Sequence, residues 1–147
     1  MPVRKTIPGK DGIYFITFAC AQWLPLFQIT NGYDAVYNWF NVLKQTGHYI
    51  TGYTIMTNHV YVVIAFHNTS KTINSIIGNG KRFIAYDIVK RLEKQQENTL
   101  LSKMQSMVNT TQKADNKLHE VFEPSFDWKP AWRQTGNAEH QHSYNRN

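Results

Sequence analysis

The chain has 147 residues, 41% of them hydrophobic and 14% aromatic, and a formal net charge of +6. That is enough apolar material for one packed domain and too much for a disordered chain. No apolar run approaches a membrane span, the single Cys20 excludes an internal disulfide, and the basic surplus points to polyanionic partners, nucleic acid first.

Residues 1–12 are polar and basic, with Pro2, Pro8, Gly9 and Gly12. No apolar stretch follows them as in a signal peptide, and lone-cysteine usage fits a reducing compartment, so a cytoplasmic protein is expected, nucleoid-associated if the basic surplus meets nucleic acid. Residues 13–21 (IYFITFACA) read as a first strand, apolar on both faces as in a central position. Cys20 within it reads as an inert core thiol. Residues 22–30 read as a loop broken by Pro25. Asn31 then reads as a helix N-cap, with Tyr33, Val36, Tyr37, Phe40 and Leu43 at helical spacing and Gly47 as the stop.

Residues 49–56 and 60–66 are rich in β-branched and aromatic types, and Thr57-Asn58 separates them. This pattern predicts a β-hairpin with His59 opening its second arm. Alternation places His59, Tyr61, Val63 and Ala65 on one face and Val60, Val62, Ile64 and Phe66 on the other. The second set is a core face. The first carries a His and a Tyr about 7 Å apart along the strand.

From Thr72 to Gln96 the pattern is helical. Ile73, Ile77, Ile84 and Ile88 form one stripe, and Lys71, Lys81, Arg82, Lys90, Arg91 and Lys94 make the segment basic. Gly78 and Gly80 lie inside it. They suit either close approach of a phosphate backbone beside Lys81 and Arg82 or a close helix crossing. Residues 98–117 are polar, a mobile insertion with room for a short helix. Residues 118–128 read as an edge strand because Pro124 cannot donate in a central ladder. Residues 130–147 read as a polar, disordered tail. The order βαββαβ predicts an α+β, ferredoxin-like (RRM-like) fold, a four-stranded antiparallel sheet with two helices on one face. Its other face, carrying His59 and Tyr61, stays open. One domain is expected over residues 1–129.

Chemistry is sparse. There is no P-loop, GxGxxG, CxxC or GxSxG sequence. A phenol is a poor metal ligand near neutral pH, with an ordinary pKa of about 10. His59 alone fits a structural or surface role as well as a ligand role.

The run GYTIMTNHVYVVIAF resembles the single-tyrosine HUH transposases of the REP-associated and insertion-sequence type, whose hallmark reads like Y-x-I/V-M-P-N-H-V-H. YFITFACAQWLPLF, GNGKRFIAYDIVKRL and HEVFEPSFDW agree with the same family. Here Thr57 stands where proline is usual and Tyr61 where the second histidine is expected. The resemblance implies a homodimer that binds single-stranded, hairpin-forming DNA and cuts it with a tyrosine, leaving a 5′-phosphotyrosine and a free 3′-OH. It implies Mg²⁺ or Mn²⁺ held by the two motif positions, His59 and Tyr61, and by a polar side chain near the nucleophile. Tyr144 lies in the part of the chain where the nucleophile is expected, and Gln141, one turn before it, is the polar side chain. The C-terminus departs from the family's tyrosine helix and reads as truncated. Lys71, Lys81, Arg82 and Lys90 are the expected nucleic-acid contacts. A non-catalytic single-stranded nucleic-acid binder on the same sheet is the alternative.

Overall fold

The computed structural model describes residues 6–108 and 119–131. Its elements are β1 (Gly12–Ala19), a 3-10 turn (Ala21–Trp23), α1 (Leu26–Thr30), α2 (Tyr33–Gln45), β2 (Tyr49–Ile55), β3 (His59–Phe66), α3 (Ile73–Lys94), α4 (Asn98–Ser106) and β4 (Asp127–Pro130). The four strands form one antiparallel sheet in the order β2-β3-β1-β4, the ferredoxin-like arrangement that the element order predicts. β1 is central, as its two apolar faces require.

One face of the sheet carries the core. Val60, Val62, Ile64 and Ile16 are fully buried and Phe18 nearly so. They join Val36, Trp39, Phe40 and Leu43 of α2 and Ile73, Ile77, Ile84, Ile88 and Leu92 of α3 in a single cluster. The isoleucine stripe of α3 is entirely inaccessible. At the ordinary ~25 cal/mol per Å² of apolar surface, this stripe is the main attachment of the helix to the sheet. Thr72 caps α3, its side-chain oxygen accepting from the Ser75 N–H at 3.1 Å. Gly47, at φ +95°, follows the C-terminus of α2 as the sequence predicts.

Four boundaries differ from the sequence reading. The expected loop 22–30 contains the 3-10 turn and α1, whose Leu26 and Phe27 are fully buried. Five residues are too few to show a helical period, and Pro25 masks the start. Asn31 is not the N-cap of α2. It closes α1 in the left-handed region (φ 50°, ψ 40°), and Gly32 precedes α2. The edge strand expected at 118–128 is β4, at Asp127–Pro130. The run before it crosses the end of β1 through an isolated bridge, Cys20 to Phe122, and bends at Pro124. Proline has no N–H for a ladder, so regular pairing begins only beyond it. Pro130 therefore belongs to the sheet rather than to the tail. Finally, residues 98–106 are α4, tied in by the fully buried Met104, whose carbonyl accepts from the Glu120 N–H at 3.0 Å.

Gly78 and Gly80 separate into two roles. A Cβ on Gly80 would run into the Trp39 indole, so Gly80 is where α3 crosses α2 closely. A Cβ on Gly78 would meet nothing within 4 Å.

Candidate nucleic-acid interface

Among the described residues, no helix lies across the opposite face of the sheet. β3 presents His59, Tyr61, Val63 and Ala65 there, all partly or well exposed, while its alternate residues are buried. The register extends this face in rows. Tyr61 lies opposite Thr54 of β2 and Thr17 of β1, and Thr17 lies opposite Asp127 of β4. Phe15 lies opposite Val63 and Lys129. Its ring reaches diagonally to Tyr61, with centroids 6.0 Å apart and planes at 43°. Tyr61 is 40% exposed and Tyr49, opposite Ala65 at the far end, 68%.

His59 is held by its neighbours. Its Nδ1 lies 2.9 Å from Asn58 Oδ1. A carbonyl oxygen only accepts, so Nδ1 carries the proton and the neutral ring keeps its lone pair on Nε2. The Asn58 amide in turn donates to the Trp23 carbonyl at 3.4 Å. The Trp23 indole meets the imidazole edge-on, centroids 5.5 Å apart at 63°. Backbone bonds lock the two loops together: Cys20 N–H donates to Asn58 O at 2.8 Å and Phe27 N–H to Thr57 O at 3.1 Å. Gln22 and Trp23 both sit at positive φ, 52° and 57°. Each such non-glycine residue costs about 1–3 kcal/mol and persists only where the surroundings impose it. Here the Gln22 N–H is also tied to Glu123 Oε2 at 3.0 Å.

The donor set does not complete a divalent-cation site. One imidazole and one phenol face the same way, and among the described residues no three His, Cys, Asp or Glu side chains converge. Hard cations want several oxygen or imidazole donors. Tyr144 and Gln141 lie outside the described residues.

The four expected nucleic-acid contacts lie elsewhere. α3 packs on the core side, so Lys81, Arg82 and Lys90 are across the sheet from His59 and Tyr61. They line a groove of about 660 Å³ between α3 and residues 119–124, together with Gly78, Tyr86 and His119. Lys81 Nζ donates to the Glu123 carbonyl at 2.9 Å, which gives it a part in fixing that segment. Arg82 donates to Asn79 Oδ1 within the helix, and Lys90 is exposed. Lys71 is exposed just before α3. Arg91 is a clasp: it donates to Asp87 and Asp34 at 2.8 Å each and to the Asn31 carbonyl. The Asp87 bond is the main cause that holds its pKa above the ordinary arginine value.

Two solved structures share this architecture. One is a REP-associated tyrosine transposase bound to a REP hairpin, at TM-score 0.59 and 12% identity, covering 99% of this chain and 69% of that one. The fold is transposase-like. The other structure, described as a "putative transposase" from Deinococcus radiodurans R1, aligns at TM-score 0.51 and 11% identity over 99% of this chain and 98% of its own. No family model and no curated protein matches the sequence. The sequence reading places His59 and Tyr61 on the open face, where the structure has them, but does not bring Trp23, Phe15 and Asn58 beside them. Trp23 and Phe15 are apolar residues whose exposure depends on tertiary placement. Asn58 carried a turn signal only.

Proposed function

We propose that this chain binds hairpin-forming single-stranded DNA as the DNA-handling domain of a transposase-type protein. The observation that carries this reading is the sheet face opposite the core, where Phe15, Tyr49, Tyr61 and His59, with Trp23 in the adjoining loop, present rings that no helix among the described residues covers. Exposed aromatics on such a sheet stack unpaired bases. The likeness in fold to a transposase bound to a REP hairpin supports the reading. So does the net charge of +6. Arg82 and Lys90, in the groove across the sheet, are candidates for phosphates of the same DNA, with Lys71 exposed just before α3. The test is fluorescence anisotropy of a labelled hairpin with a single-stranded flank, titrated with protein over a range of salt. Affinity that falls steeply with salt supports the reading, and absence of binding contradicts it.

A second reading, strand cleavage and rejoining, is favoured by the fixed ring of His59, with Nε2 bearing the lone pair on the face proposed for the strand. In it the Tyr144 phenol oxygen attacks a phosphorus, a 5′-phosphotyrosine forms and the 3′-OH leaves. Incubation of hairpin DNA with protein and Mn²⁺, run on a denaturing gel, tests it. A shifted band that Tyr144→Phe abolishes supports cleavage. Binding without any such band makes the chain a DNA-binding relative of a strand transferase.

A further inference from the structure

We infer that Trp23 forms a base-stacking subsite beside His59 that captures one unpaired nucleobase of the DNA strand. The inference rests on the DNA-binding reading above and adds where a base is gripped. Three observations converge on this side chain. Trp23 is 55% exposed, although it is a large aromatic residue in a segment whose neighbours Ala21, Leu26 and Phe27 are buried. Its backbone and that of Gln22 are held at positive φ, a conformation that a bulky side chain rarely adopts. The loop is pinned in that shape from two sides, by Asn58 on the Trp23 carbonyl and by Glu123 on the Gln22 N–H.

Core packing does not account for an indole placed in this way. It is rigid and amphipathic, and it stands at the His59 end of the open face. The imidazole meets it edge-on, which steadies the ring while more than half of the residue stays accessible. A nucleobase is the ligand this chemistry fits. It offers a flat π-face of similar size, and a chain with a +6 surplus attracts the phosphates that come with it. A base held there places its adjoining phosphate near His59, so Trp23 sets which nucleotide of the flank lies at that histidine.

The test uses the full chain and a labelled hairpin whose single-stranded flank carries one abasic site, moved through each position in turn. Wild type, Trp23→Ala and Trp23→Phe are compared by anisotropy. Trp23→Ala is expected to weaken binding by about 5- to 150-fold, and Trp23→Phe to restore most of it. One abasic position is expected to weaken wild type by a similar factor and to cost Trp23→Ala nothing further. A second readout does not depend on the alanine variant folding: DNA should quench tryptophan emission in wild type and distinctly less in Trp23→Phe. Equal affinity of wild type and Trp23→Ala, equal abasic profiles in the two proteins, or equal quenching in wild type and Trp23→Phe would overturn the subsite. If wild type does not bind the hairpin at all, the DNA-binding reading itself fails.

Discussion

At position 61 a phenol faces the same way as the imidazole of His59, and Asn58 already fixes that imidazole with its lone pair on Nε2. Tyr61→His would therefore put two imidazoles on one strand face. It should raise Mn²⁺ affinity by about tenfold or more, since each added neutral imidazole is a good ligand for such ions. Calorimetry showing no gain would mean that the two side chains do not converge. Cys20 is a simpler case. It is fully buried, and burial pushes its thiol pKa up to about 12. It should stay unreactive toward a disulfide reagent at pH 8 in the native protein and react once urea unfolds it. His48 is also buried. Its Nδ1 accepts from the His67 N–H at 3.2 Å, and its ring lies 5.4 Å from that of Phe66. Burial, with a smaller contribution from His67, holds its pKa below the ordinary 6.5. The unfolded chain thus takes up a proton at a pH where the folded chain does not. The stability from neutral His48 is complete above pH 6.5 and declines as pH falls from there toward the lowered native value. Urea midpoints at pH 7.5 and 5.5 should differ in that direction, and His48→Asn should shrink the difference.

Among the elements, the hairpin and α3 were legible because their signals are long and periodic. Eight residues of strict alternation fix the faces of β3, and five apolar residues from Ile73 to Leu92 fix the buried stripe of α3. Where the sequence reading went astray, short-range signals competed with tertiary ones. α1 has only five residues, and Pro124 delays the final strand until the chain has passed the end of β1. The two helix glycines could not be separated by sequence, because both carry the same propensity cost. Their environments now make opposite predictions. Gly78→Ala faces open space and should stabilise the fold by about 1 kcal/mol through helix propensity. Gly80→Ala drives a methyl into Trp39, and about 1–3 kcal/mol of overpacking should outweigh the same gain. Thermal denaturation of the two variants checks both signs. Equal effects would contradict the close crossing of α2 and α3.

Across the described residues, the cations of α3 lie on the helix side of the sheet, away from the rings of Phe15, Tyr49 and Tyr61, and Lys129 of β4 shares the open face with those rings. Composition records charge without its position, so the sequence alone does not separate the α3 cations from the rings. The site was legible to the extent that alternation exposes His59 and Tyr61. Trp23 emerges only when the loop after β1 closes against the turn at Thr57-Asn58, and Phe15 joins Tyr61 only once β1 is in register with β3. The separation has a consequence for binding. If the DNA also reaches the α3 groove, Arg82→Ala with Lys90→Ala should lower the slope of log affinity against log salt by about 1.4, roughly 0.7 for each single-strand phosphate that no longer meets a cationic side chain. An unchanged slope would confine the DNA to the open face. That face is the proposed seat of binding, and photochemical crosslinking tests it most directly. A hairpin with iodouracil at successive flank positions would be irradiated with the protein and the adducts mapped by mass spectrometry. Crosslinks at Trp23, Phe15 or Tyr61 are expected. Crosslinks confined to α3, at Phe83 or Tyr86, would contradict binding on the open face.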